Sequence, residues 1–157
     1  MTAGGTLPGP LQEVVQEFAA LPPELRLEAL LEYSELVPAL PAAYAERPEL
    51  LERVHECQTP FFVATELDEG RVRLHLDAPV QAPTTRGFAG ILHAGLDGAT
   101  AGEVLAVPGD LPARLGLIEA LSPLRARGIS AILAVVQRQI RALATEAELG
   151  APAARRA

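Results

Sequence analysis

The spacing of apolar residues changes period at Phe61, and that change limits what this 157-residue chain can fold into. Before it, Leu11, Val14, Val15 and Phe18 recur at the i, i+3, i+4, i+7 spacing of one helix face. Residues 61–67 and 71–77 instead read as two strands joined by Asp68-Glu69-Gly70, an acidic, Gly-containing link suited to a hairpin. In the second strand Val72, Leu74 and Leu76 point one way and Arg71, Arg73, His75 and Asp77 the other, so one sheet face is expected to be buried and one wet. Downstream the helical period returns. Helices on both sides of a small antiparallel sheet make an α+β domain.

Prolines punctuate the helical parts. Pro10 opens the first helix, and Pro22-Pro23 closes it and begins a second that ends near Pro38, with Leu27, Leu30 and Leu31 sharing a face. Short helical pieces follow Pro41, the last carrying Leu50, Leu51 and Val54 as a small stripe. After the sheet, Thr84 or Thr85 is placed to cap a helix bearing Phe88, Ile91, Leu92 and Leu96, which Gly98 helps to end. Thr100 and Glu103 have capping-box spacing for a short helix to about Val107. Ser122-Pro123 then opens the longest helix, with Ile129, Ile132, Leu133, Val136, Ile140 and Leu143 on one face and Arg138 and Arg141 toward solvent. Residues 1–9, small and Gly/Pro-rich, read as a disordered lead-in, residues 10–147 as one domain, and residues 148–157 as a fraying tail.

Twenty acidic residues against 13 basic ones give a formal charge of −7, which argues against a sequence-independent grip on nucleic acid, where phosphate neutralisation needs clustered Lys and Arg. All 13 basic residues are Arg, and Trp is absent. No apolar stretch approaches the roughly 20 residues needed to span a bilayer, and the N-terminus has no signal-type segment, so no membrane association and a cytoplasmic location are expected.

The chemistry narrows to Cys57, the single cysteine, in the polar stretch Val54-His55-Glu56-Cys57-Gln58-Thr59-Pro60 just before the first strand. One thiol supports neither an internal disulfide nor a multi-cysteine metal cage, and the three dispersed His residues complete no ligand set; no metal is expected. What remains is a single nucleophile or carrier on a loop, or a small hydrophobe that fills space. His55, two residues from the thiol, reads as a solvated loop residue, and His75 and His93 fall on element surfaces.

Three segments in order carry a family resemblance. Val54-His55-Glu56-Cys57-Gln58-Thr59 before a hydrophobic strand is similar to the Val-x-Gly-Cys-Gln-Ser segment of the SufE family of sulfur acceptors. Ala82-Pro83-Thr84-Thr85-Arg86-Gly87 resembles that family's segment ending in Lys/Arg-Gly, and Leu121-Ser122-Pro123-Leu124-Arg125-Ala126-Arg127-Gly128 its Leu-Thr/Ser-Pro-x-Arg-x-x-Gly. The resemblance spans roughly residues 21–143 and departs from the pattern at Glu56, where Gly is common, and at Gln81, near where many members carry an acidic residue.

The resemblance implies a SufE/NifU-like α+β fold and a protein that is not a stand-alone enzyme. Cys57 would accept sulfane sulfur as a persulfide from a SufS-type cysteine desulfurase, stimulate it, and pass the sulfur to an iron–sulfur scaffold complex. No resident cofactor is implied, since pyridoxal phosphate belongs to the partner. Supporting residues would be Gln58, tying down the loop, Arg125, orienting it or favouring negative sulfur, and His55. The residues alone leave two alternatives open, a cysteine hydrolase with Cys57 as nucleophile and a binding module in which Cys57 is structural.

Overall fold

The computed structural model describes residues 7–148. Its elements run α1 (Gly9–Ala19), α2 (Pro23–Ser34), α3 (Ala42–Glu46), a 3₁₀ turn (Pro48–Leu50), β1 (Glu52–Arg53), β2 (Phe62–Asp68), β3 (Arg71–Asp77), α4 (Pro83–Leu96), α5 (Ala101–Leu105), α6 (Leu111–Arg114) and α7 (Pro123–Glu148). The fold is α+β, with one antiparallel sheet ordered β1-β2-β3. Residues 1–6 of the expected lead-in (1–9) and residues 149–157 of the expected tail (148–157) lie outside the described residues. Within the rest, Leu7 packs against the core and Gly9 already belongs to α1.

The hairpin forms as the alternation requires. Asp68 pairs with Arg71, so Asp68 belongs to the strand and the turn is Glu69-Gly70, both at positive φ (53° and 80°) as a tight hairpin matching the strand twist demands. Val72, Leu74 and Leu76 are buried against the helices. The other face is less wet than expected. The Tyr44 ring of α3 lies 4.5 Å from the His75 imidazole, its hydroxyl donates to Glu66, and His75 Nε2 is buried without a hydrogen bond.

α4 packs against β3 and α7 against β2, while α1 and α2 form an outer layer on α4. The α2–α4 contact is close because Gly87 and Gly90 remove side chains there: a Cβ on Gly90 would sit 2.0 Å from the Tyr33 carbonyl oxygen, and one on Gly87 2.2 Å from that of Leu30. Arg86 locks the same seam by donating to the carbonyls of Ser34 and Ala78. The face of α2 that enters the core therefore carries Ala29, Leu30 and Ser34, whereas Leu27 and Leu31, expected inside, are exposed. Neither Thr84 nor Thr85 caps α4; Ala82 holds the cap position and Pro83, with no N–H to satisfy, starts the helix. The Thr100–Glu103 capping box is present, and α6 adds a helical turn unforeseen in the Pro/Gly-punctuated segment.

Of the stripe Leu50, Leu51, Val54 only Leu50 lies in a helical turn, the 3₁₀ turn, and no helix face carries all three. Leu50 is exposed, Val54 is fully buried, and between them β1 pairs with β2 through Glu52↔Val63 and Arg53↔Phe62. Arg138 faces solvent as expected and from there pairs with Glu52, and Gln139 donates to the same carboxylate. Burial pushes the Glu52 carboxyl up, but these hydrogen bonds outweigh it and hold it below the usual range. α7 is thus fixed to the edge strand that leads into the cysteine loop. Among the described residues no helix is long and apolar enough to cross a membrane.

Candidate functional site

The chain from Val54 to Phe61 forms a loop between β1 and β2 whose two ends are sunk in the core. Val54 and Phe61 are both fully buried, and the Val54 N–H donates to the Phe61 carbonyl at 2.8 Å, closing the loop. Inside it the Cys57 N–H donates to the Val54 carbonyl at 3.1 Å, a turn that aims the cysteine inward while His55, Glu56, Gln58 and Pro60 stay exposed. Cys57 is only 7% exposed.

What it meets is the first part of α7. The Ser122 hydroxyl accepts from the Arg125 N–H at 3.2 Å, satisfying one of the free donors at that helix start. One turn on, Gly128 lies against the loop, and the Cys57 thiol donates to its carbonyl oxygen at 3.5 Å. A Cβ on Gly128 would touch Cys57 Cα, Cys57 Sγ and the Glu56 carbonyl oxygen, each at 3.4 Å, so the loop rests directly on bare helix backbone.

Beside the sulfur is a cavity of ≈ 120 Å³ lined by Cys57, Gln58 and Thr59 of the loop, Thr85 of α4, and Leu124, Arg125, Gly128 and Ile129 of α7. All three resembling segments therefore contribute to one wall. Cys57, Gln58 and Arg125 are brought together; His55 is not, and His75 and His93 line a different cavity with Pro38 and Asp97. Thr59, Thr85 and Gly128 join the site as well, although the sequence marks them only as members of the resembling segments. The Thr59 hydroxyl oxygen is buried with no hydrogen-bond partner.

Electrostatics keep the thiol protonated. Burial pushes its pKa from 9.0 to about 11, the adjacent Glu56 carboxylate pushes it the same way, and Arg53 of β1 opposes both. At neutral pH the thiolate is then roughly one part in 10⁴. Among the described residues no imidazole lines this cavity, so a cysteine hydrolase would have no histidine base there. The arrangement leaves Cys57 shielded from solvent and overwhelmingly protonated at neutral pH.

Residues 12–140 match the family model described as "SufE: Fe-S metabolism associated domain". The chain is 51% identical over 142 residues to an uncharacterized SufE-like protein of Mycobacterium tuberculosis, covering 90% of this chain and 98% of that one. It is 30% identical to SufE-like protein 1, chloroplastic/mitochondrial, of Arabidopsis thaliana over 85% of this chain and 35% of that longer one. Among solved structures, a hypothetical protein from Thermus thermophilus superposes with a TM-score of 0.80 at 44% identity, covering 89% of this chain and 99% of that one. The chain belongs to the SufE family, and its place is in iron–sulfur metabolism.

Proposed function

We propose that Cys57 accepts sulfane sulfur from a pyridoxal-phosphate-dependent cysteine desulfurase, carries it as a persulfide, and hands it on for iron–sulfur cluster assembly, stimulating the desulfurase by clearing its sulfur. The observation that carries the reading is a buried cysteine on a core-anchored loop beside a cavity of ≈ 120 Å³. That volume is several times the ~30 Å³ share of one water molecule, so an added sulfur atom has room without repacking.

The transfer is an exchange between sulfurs. The Cys57 thiolate attacks the terminal sulfur of the donor's cysteine persulfide; the donor's S–S bond breaks, a new S–S bond forms on Cys57, and the electron pair leaves on the donor's cysteine as thiolate. No oxidant or reductant is consumed. Direct contact of two sulfurs cannot occur while Cys57 is buried, so the loop leaves Gly128 on docking, with Val54 and Phe61 as its fixed ends. Outside, desolvation no longer raises the thiol pKa, while Arg53 of β1 still favours the thiolate, and Arg125, which lines the cavity to which the loop returns, is assigned to orienting the loop. Return of the loop shields the loaded persulfide from thiols and oxidants. Pyridoxal phosphate stays with the partner, and this chain needs no resident cofactor.

The test is a desulfuration assay with candidate desulfurases and L-cysteine. Cys57→Ser, which preserves size but offers no sulfur, is expected to fold and to give no stimulation. Equal stimulation by mutant and wild type would contradict the proposal.

A further inference from the structure

We propose that the exposed face of the C-terminal half of α7 binds the same face of a second copy of this chain, the two helices running antiparallel about a two-fold axis at Ala142. The proposal does not rest on the sulfur chemistry. Arg138, Ala142 and Glu146 stand at i, i+4 and i+8 and so form one stripe along the helix. All three are exposed, as are Arg141 and Thr145 beside them, and together they line a shallow cavity of ≈ 420 Å³. The stripe reads cation, small residue, anion. Reversed about its middle, it sets Arg138 against Glu146 of the second copy at both ends and Ala142 against its own copy, which is the self-complementarity that an isologous contact requires.

The charges select the occupant. Among the described residues Arg141 and Glu146 have no ion-pair partner, and Arg138, which pairs with Glu52, keeps 56% of its side chain exposed. Within one helix Arg141 and Glu146 lie on different stripes and do not face each other. In the antiparallel pair Glu146 of the second copy lies level with Arg138 and about 4.5 Å along the axis from Arg141, a step that a long guanidinium side chain spans. A partner of one charge sign would satisfy one end of the stripe and be repelled by the other; a second copy satisfies both. The methyl group of Ala142 at the centre lets the axes approach to about 8–10 Å. Leu50, 45% exposed, adds apolar contact, since it lines a cavity of ≈ 340 Å³ with Arg138, Ala142, Leu143 and Glu146 and stays on the same flank in both copies. The formal charge of −7 repels two chains at long range, but at physiological salt that repulsion is screened beyond about 8 Å, whereas the paired ends touch. Gly128, on which the Cys57 loop rests, is about 21 Å along α7 from Ala142, so the pairing leaves the cysteine site open.

One helix stripe is a small interface, so the association is weak and is measured by sedimentation velocity of the full chain at physiological salt, from about 10 μM to about 1 mM. Wild type is expected to pass from monomer to dimer over that range. Glu146→Arg, which leaves the stripe wholly basic, is expected to associate about tenfold more weakly, and Arg141→Glu is weakened as well. Both positions are exposed, so both variants are expected to fold, which circular dichroism checks. Mixed in equal amounts, the two variants are expected to associate more tightly than either does alone, because each supplies the charge that the other lacks. A wild type that stays monomeric at about 1 mM overturns the proposal and leaves this face to residues 149–157 or to a different protein. So does a Glu146→Arg variant that associates like wild type, or a mixture no tighter than its components, since a dimer built on another face would behave in that way.

Discussion

The sulfur of Cys57 sits 3.5 Å from the carbonyl oxygen of Gly128, a residue 71 positions further along the chain, and this contact joins the cysteine loop to α7. A Cβ at position 128 would make ordinary contact with the loop at 3.4 Å, so it is a branched side chain that the packing excludes. Gly128→Val would place two methyl groups where the loop backbone and sulfur now pack, at a cost of about 1–3 kcal/mol in stability. The loop, anchored only at Val54 and Phe61, is the part that yields. Cys57 in Gly128→Val is expected to react with a bulky alkylating reagent several-fold faster than in wild type; an unchanged rate in a folded variant would remove Gly128 from the account.

The raised thiol pKa has a consequence for stability with a definite sign. The folded protein keeps the Cys57 proton up to about pH 11, whereas the unfolded chain releases it near 9.0. Above pH 9 the unfolded state binds fewer protons, so this group's stabilisation, fully present below pH 9, is lost as pH rises from about 9 through about 11. Thermal unfolding of wild type minus that of Cys57→Ala, followed across this window, isolates the effect from the other titrating groups. A difference that stays flat would mean that the thiol is not held protonated.

Glu56 is the second cause of that raised pKa and stands on the exposed side of the loop. Glu56→Gln is expected to speed alkylation of Cys57 at neutral pH by no more than about fivefold, the scale of one solvent-screened charge. Burial remains the larger cause, so a change of a hundredfold would show instead that the substitution had opened the loop.

Arg125 and Arg141 lie on the same helix, but only Arg125 lines the cysteine cavity. Arg125→Ala is expected to lower sulfur transfer measurably while Arg141→Ala leaves it unchanged, with similar unfolding midpoints for both. Equal transfer by the two variants would reject the role given to Arg125.

The legible parts of the fold are those whose signals are local. Strict alternation and a Gly-containing turn are enough for β2 and β3, and Thr100 with Glu103 for the cap of α5. β1 is hidden because two residues, Glu52 and Arg53, carry no period of their own and become a strand only through β2. The buried face of α2 is misread from sequence because Leu is abundant throughout; the actual seam is set by Gly87 and Gly90 on another helix, where Gly90→Ala is expected to cost several kcal/mol by driving a methyl into the Tyr33 carbonyl. At the site, Cys57, Gln58 and Arg125 are readable from two of the three resembling segments. Thr59 and Gly128 are not, since an unpaired hydroxyl and a backbone contact across the chain exist only after folding.

Sulfur on Cys57 is the central claim, and mass measurement addresses it most directly. The protein is incubated with a candidate desulfurase and L-cysteine, then weighed intact and as the peptide containing Cys57, beside Cys57→Ser treated alike. Wild type is predicted to gain one sulfur atom, confined to that peptide and removed by a reducing thiol, and Cys57→Ser to gain none. Sulfur found on Cys57→Ser, or a wild-type chain that stays unmodified while a desulfurase it binds accumulates persulfide, would contradict the account.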